Sequence, residues 1–319
     1  MGKLKQKSAP YCLFILVFYL AEAIFLPYVV MYLTETGMTT AQASLAYSGM
    51  NIGAIIGGLG LGYCADRTRN PRGTLACAVV LSAGLILLLR LGTGVAFGAA
   101  VLFLFGFLEQ PDIDLFDNLL VQNVKNWEKA FSVVHSFGNL GYVLGLLIAG
   151  GMLTAYGYGW LFAAAAVMLV ISGISCAGMG SGCGRQEKKN KVPLRALFRN
   201  HMSVAIYLVS FLWGVIETGT LAFATKYYTD LGYTASYAAM MISIAIAGQV
   251  LSYTWLYRNQ EKVSQPMLCF GGFALLALRI ISMALVGIFP QAVLVVMACL
   301  GGACTPLINL APVQMVSEN

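Results

Sequence analysis

Charge is what this sequence has least of. Its 319 residues include 13 acidic and 19 basic side chains, 10% of the chain. An ordinary soluble domain carries about 25%, so a water-facing surface cannot be built from this composition. Soluble enzymes, nucleic-acid binders and disordered chains are excluded. Histidine is nearly absent, with only His135 and His201. No His/Asp or Ser/Lys cluster falls at a nucleophile or metal spacing, so neither an enzymatic centre nor a metal site is expected. Eight cysteines are scattered, mostly inside apolar runs. No pair has a metal or redox spacing, and they read as small core residues. No Gly-x-x-x-x-Gly-Lys-Ser/Thr run occurs, so no nucleotide-driven motor is expected. No cofactor is expected either.

Apolar residues fill the space that charge leaves. They make up 59% of the chain, and the mean hydropathy is +0.78. A helix needs about 20 apolar residues to cross a bilayer. Runs of that length occupy roughly 10–33, 43–64, 73–92, 94–122, 130–155, 157–179, 202–227, 234–257, 266–287 and 290–316. The chain therefore reads as a polytopic membrane protein with ten helical spans. A membrane β-barrel would show period-two alternation in segments of about ten residues, and these runs are longer and apolar on all sides.

The cations give the orientation. Lys3, Lys5 and Lys7 precede the first span, and Arg67, Arg69 and Arg72 follow the second. Lys125 and Lys129 follow the fourth, six cations from Arg185 to Arg199 follow the sixth, and Arg258 and Lys262 follow the eighth. Sixteen of the 19 cations thus fall on one side. The positive-inside rule makes that side cytoplasmic, amino terminus included. An even span count places the carboxyl end there too. The first run is too long for a cleaved signal peptide and lacks its small-residue site. A multi-pass protein of the plasma (cytoplasmic) membrane, the inner membrane of a bacterial cell, is expected.

One fixed offset of 195 residues runs through four consecutive spans. Glu22 meets Glu217, Tyr32 meets Tyr227, Gly37 meets Gly232 and Thr39 meets Thr234. Ser48 meets Ser243, Gly53 meets Gly248, Pro71 meets Pro266, Gly106 meets Gly301 and Pro111 meets Pro306. Asp66 faces Glu261, and Asp114 faces Asn309. Shared apolar composition alone does not keep Pro, Gly and Glu in register. The chain reads as two parallel repeats: residues 1–180, a six-helix half; 181–201, a basic cytoplasmic linker; and 202–319, a half with four helices. Such duplication marks a transporter built around a central site. Asn319 corresponds to Val124, so counterparts of the fifth and sixth spans are missing. A complete second half would need about 60 more residues at about 20–25 per span. A carboxyl-terminal truncation of a twelve-helix protein is the expectation.

The loop Gly62-Tyr63-Cys64-Ala65-Asp66-Arg67-Thr68-Arg69-Asn70-Pro71-Arg72 resembles the signature between the second and third spans of the major facilitator superfamily. Gly62, Asp66, Arg67 and Arg72 carry the match. Gly62 lets helices approach, and Asp66 can cap the third span or pair with loop cations. The resemblance implies that this loop latches onto the eleventh span of the other half. A second stretch looks like the lactose permease, nucleoside and phenylpropionate proton-symporter branches. There an acid on the fourth span partners an arginine on the fifth, followed by Gly-x-x-Gly-aromatic. Here Asp117 takes the acid's place, His135 the arginine's and Tyr142 the aromatic's, after Gly138 and Gly141. Histidine substitutes a titratable group for a fixed cation. The fold class implied is an all-α, major-facilitator-like bundle of two repeats, with ten of twelve helices present.

Charges within the spans are the candidate site. Each costs about 2.5–3.5 kcal/mol at mid-bilayer on insertion scales and so suggests a cavity or a partner. They are Glu22, Glu109, Asp112, Asp114, Asp117, His135, Glu217, Lys226 and Arg279. Glu22 and Glu217 are repeat-equivalent and near mid-span, on the first and seventh spans that line the cavity in the superfamily. Read as one helix at 100° per residue, the fourth span puts Glu109 and Asp112 60° apart, and likewise Asp114 and Asp117. Asp117 and His135 share a depth near the cytoplasmic ends of antiparallel helices and can pair. Arg279 needs a counter-charge from the acids of the fourth or seventh span. Lys226 and Arg90 sit near external ends, where they can snorkel. Gly57, Gly58, Gly60 and Gly62, and Gly138, Gly141 and Gly145, permit close helix crossings. Tyr19, Phe25, Tyr28, Tyr32, Trp213, Phe223 and Tyr227 are aromatic candidates for core packing or for stacking on a ring.

The expected function is secondary active transport, a proton-coupled symport of a small polar organic solute by alternating access. Substrate and proton pathway candidates are Glu22, Glu109, Asp114, Asp117, His135, Glu217 and Arg279. The partners expected are the solute, protons and the lipid bilayer, with no nucleic acid, and the protein is read as a monomer. Efflux by proton antiport in the same fold, and a non-transporting remnant, remain open alternatives.

Overall fold

The computed structural model describes residues 8–109, 112–124, 127–181, 201–259 and 263–308. The basic linker residues 182–200, the cations Lys3, Lys5, Lys7, Lys125 and Lys262, Pro111 and Asn309 lie outside them. The described residues are almost entirely helical. In chain order the helices are α1 (Ala9–Glu35), α2 (Thr40–Thr68), α3 (Pro71–Leu88), α4 (Val95–Glu109), α5 (Asp112–Asn123), α6 (Trp127–Ser175), α7 (His201–Asp230), α8 (Ala235–Asn259), α9 (Gln265–Ala284) and α10 (Gln291–Gly302). A short 3-10 turn, Cys176–Gly178, follows α6.

Among the described residues, eight helical stretches are long and apolar enough to cross a membrane. One of them, Val133–Gly178, is 46 residues long, about twice what a bilayer needs. It is interrupted at Gly157, where φ is 74° and ψ is −179°. Only glycine adopts that backbone without strain, so the fifth and sixth apolar runs meet there. Many large apolar side chains face outward, among them Leu59, Leu91 and Phe270, each about four-fifths exposed. Such a surface needs lipid, not water. The chain is an integral, multi-pass membrane protein.

The helices gather into two compact units: residues 1–184 with 225–239, and residues 185–224 with 240–319. In the first, α6 lies along α1 and also packs on α3, while α2 packs on α4. Its core is aromatic. Phe14, Phe18 and Phe116 are fully buried, and the rings of Phe14 and Phe116 stack at 4.9 Å. Gly138, Gly141 and Gly145 of α6 lie against α1 at Ile15, Leu16, Tyr19 and Leu20, and Gly57 and Gly60 of α2 lie against Phe107 of α4. Gly58 and Gly62 face open space. In the second unit α9 packs on α10, and Leu256, Val263, Leu268 and Leu307 form a buried cluster.

The repeat is visible turn by turn. The α1–α2 turn has Gly37 at φ 100°, and the α7–α8 turn has Gly232 at φ 87°. The Met38 amide donates to the Leu33 carbonyl at 3.2 Å, and the Tyr233 amide to the Tyr228 carbonyl at 3.0 Å. Both are six-residue helix-ending closures around a left-handed glycine. Two residues later a threonine caps the next helix. Gln42 N–H donates to Thr39 Oγ1 at 3.3 Å, and Tyr237 N–H to Thr234 Oγ1 at 3.2 Å. Close packing recurs as well. A Cβ on Gly53 would strike the Phe103 carbonyl, and one on Gly248 would strike the Cys299 carbonyl.

Candidate functional site

Asp117 is on α5 and His135 on α6. The His135 Nε2 is 3.0 Å from Asp117 Oδ1. Both groups are partly buried, and the Phe131 ring lies 4.1 Å from the imidazole. The shared depth anticipated from the sequence is therefore realised as contact. Asp114, one turn before Asp117, is exposed.

The acid-rich run belongs to one membrane-crossing stretch, Val95–Asn123. Residues 110 and 111 lie outside the described ones, and Glu109 of α4 and Asp112 of α5 stand on either side of them. Both are fully buried. Glu22 of α1 is half-buried and hydrogen-bonds Glu109, with Asp112 also close. The Tyr47 side chain of α2 lies beside Glu22 and Glu109. Among the described residues neither carboxyl oxygen of Asp112 has a hydrogen-bond partner.

Glu217 and Arg279 meet in the second unit. Arg279 Nη1 donates to both Glu217 oxygens, at 3.0 and 2.8 Å. The arginine side chain is 5% exposed and the glutamate 15%. The counter-charge that Arg279 required is thus its neighbour on the seventh span. Cys304 hydrogen-bonds the same guanidinium. Residue-type reasoning passed over this thiol, although the 195-residue offset places it opposite Glu109.

Other candidates have quieter places. Phe25 and Tyr28 are buried core, and Phe25 packs against Phe105 and Phe162 at 5.1 Å. Tyr19 meets Tyr142 edge-on at 6.4 Å. Lys226 pairs with Asp230 one turn away at 2.8 Å. Arg90 donates to the Gly159 carbonyl at 3.4 Å.

The loop motif is arranged within the first unit. Arg67 donates to the Tyr63 hydroxyl at 3.1 Å. Arg72 donates to the Met179 carbonyl at 3.0 Å, closing the chain just beyond α6. The cap of α3 is Asn70, whose Oδ1 accepts from Gly73 N–H at 3.0 Å; Asp66 is exposed and takes no part. The proline at 71 explains this. It starts the helix one residue after Asn70, too far along for Asp66 to cap it.

An apolar helical bundle in duplicate, with two buried acids and a buried arginine, is the architecture of a membrane solute transporter. The chain belongs to the MFS_1 like family, whose model matches residues 10–319, and so to the major facilitator superfamily of transporters. Among solved structures it resembles the nucleoside transporter NupG, at 15% identity and a TM-score of 0.77, covering 98% of this chain and 82% of that one. It also resembles the xylose transporter XylE from E. coli, at 16% identity and a TM-score of 0.67, covering 97% of this chain and 83% of that one. A third is a bacterial homolog of the human lysosomal transporter Spinster, at 13% identity and a TM-score of 0.70, covering 97% and 74%. These likenesses are of fold. No curated protein matches the sequence.

Proposed function

We propose that the protein is a proton-coupled symporter that carries a small polar organic solute inward by alternating access. The carrying observation is the Asp117–His135 contact at 3.0 Å. It joins two titratable side chains inside a membrane bundle, where a charged group is costly unless it is paired. Binding or losing one proton changes the charge of that pair, and a solute with hydroxyl or amide groups can compete for the same hydrogen bonds. The fold neighbours include a transporter of nucleosides and one of xylose, which supports a nucleoside- or sugar-like solute. The basic residues after the second and eighth spans support a cytoplasmic amino terminus in the plasma membrane. The two repeats, 1–180 and 202–319, are the rocking bodies of the mechanism.

The test uses proteoliposomes with an imposed pH gradient and labelled nucleosides and pentoses. Uptake of at least one solute should follow the inward proton gradient and collapse with a protonophore. Asp117→Asn and His135→Gln should each lower gradient-driven uptake at least about tenfold, a loss of about 1.4 kcal/mol. Uptake that ignores the gradient, or is intact in both variants, would refute the reading.

A further inference from the structure

Glu22 and Glu217 occupy the same position in the two repeats, yet their neighbours differ in kind. Arg279 grips Glu217 with two hydrogen bonds, and Cys304 lies beside the pair. At the same offset Arg279 falls on Gly84, and Cys304 falls on Glu109. The first repeat therefore has no side chain where the second has its cation. It has a second carboxyl where the second has a thiol.

The acids of the first repeat are surrounded accordingly. The charged groups acting on Glu22 are Glu109 and Asp112, both acids. The charged group acting on Asp112 is Glu109. Tyr47 from α2 faces Glu22 and Glu109. Cys176 from the 3-10 turn faces Asp112, and Arg72 acts on Cys176 from beyond it. An ionised carboxylate only accepts hydrogen bonds, so a bond between two carboxyl groups needs a proton on one of them. Asp112 is sealed from solvent with both oxygens unpartnered. A lone buried anion is too costly to persist, and such a group neutralises itself instead. Among the described residues no group of three acids, histidines or cysteines is arranged to hold a metal ion.

We propose that Glu22, Glu109 and Asp112 form a proton-binding site confined to the first repeat, while the equivalent Glu217 is held by the fixed cation of Arg279 and lies outside it. Half-buried Glu22 is the exchange point. Its carboxyl proton leaves to water, and the Glu109 proton crosses the shared hydrogen bond to replace it. Asp112 is the sealed member that keeps the site from accommodating negative charge. The inference deepens the proton-coupled reading by adding a site for the coupling ion apart from Asp117 and His135.

Infrared spectroscopy of the purified full chain in detergent tests this without any solute or gradient. At neutral pH the wild type should show a carboxylic-acid C=O band that shifts in D2O and falls on alkalinisation, with proton release read by an indicator dye. Glu22→Gln and Asp112→Asn should each remove part of the band, Glu22→Asp should retain it, and Glu217→Gln should leave it unchanged. A wild type without the band would overturn the proposal. So would a band undiminished in Glu22→Gln, one that is lost in Glu217→Gln, or one that disappears when sodium replaces potassium. Because the band is read in the resting protein, failed transport with an intact band sinks only the symport reading.

Discussion

Two glutamates at one position of a duplicated helix have been settled in opposite ways. In the second unit an arginine answers the charge of Glu217, at 2.8 Å. In the first unit a carboxyl answers Glu22. Duplication copies the backbone and its turns, while two exchanges, Gly84 against Arg279 and Glu109 against Cys304, set the opposite chemistries. The lesson is that sequence symmetry predicts where a buried group sits but not what neutralises it.

The largest effect should come from breaking the second-unit pair. Arg279→Met leaves Glu217 alone among apolar helices and should cost about 3 kcal/mol of stability in thermal unfolding of the detergent-solubilised protein, the scale for one orphaned partner of a buried pair. Adding Glu217→Met should restore most of it. Equal losses in single and double variants would show that packing, not charge, sets the cost. By contrast Glu22→Gln should move stability by less than about 1 kcal/mol, since an amide replaces a proton-bearing carboxyl in the same hydrogen bond.

Next come the close crossings that both repeats share. Gly53→Ala and Gly248→Ala each push a methyl into a neighbouring carbonyl. Each should lose about 1–3 kcal/mol, as overpacked sites do. If only one does, the two units differ in packing as well as in charge. A smaller loss than at the crossings belongs to the paired caps. Thr39→Ala and Thr234→Ala each remove a hydroxyl that accepts a helix N–H, worth about 1 kcal/mol. Matching melting shifts would extend the likeness of the repeats to their energetics.

Much of this is legible in the sequence. The Gly-x-Thr spacing at 37–39 and 232–234 announces a turn and a cap, because a left-handed residue and a side-chain acceptor are strictly local needs. Asp117 and His135 were legible too, since antiparallel spans joined by a short loop fix depth. The Glu22–Glu109 bond was not. It depends on how α1 and α4 are rotated, and helices apolar on every side carry no stripe that states the rotation. Asp112 was legible as a charge within the fourth span, but its place in the core was not, because the same missing stripe hides which side of that span faces inward. Nor was the nearer clasp of Arg72 on the Met179 carbonyl, beyond α6, legible, since the resemblance points the loop motif at an eleventh span instead.

That nearer clasp has a consequence for how the polypeptide is made. Gly180 N–H donates to the Tyr11 hydroxyl at 3.3 Å, and Arg72 reaches Met179 at 3.0 Å. The beginning of the first repeat is thereby stitched to its end, like a drawstring pulled only after the last of its cloth is through. A ribosome must deliver residue 180 before the bundle can close, and nothing in the stitches reaches past that point. Two separately translated pieces, cut within 182–200, would leave every one of those knots intact.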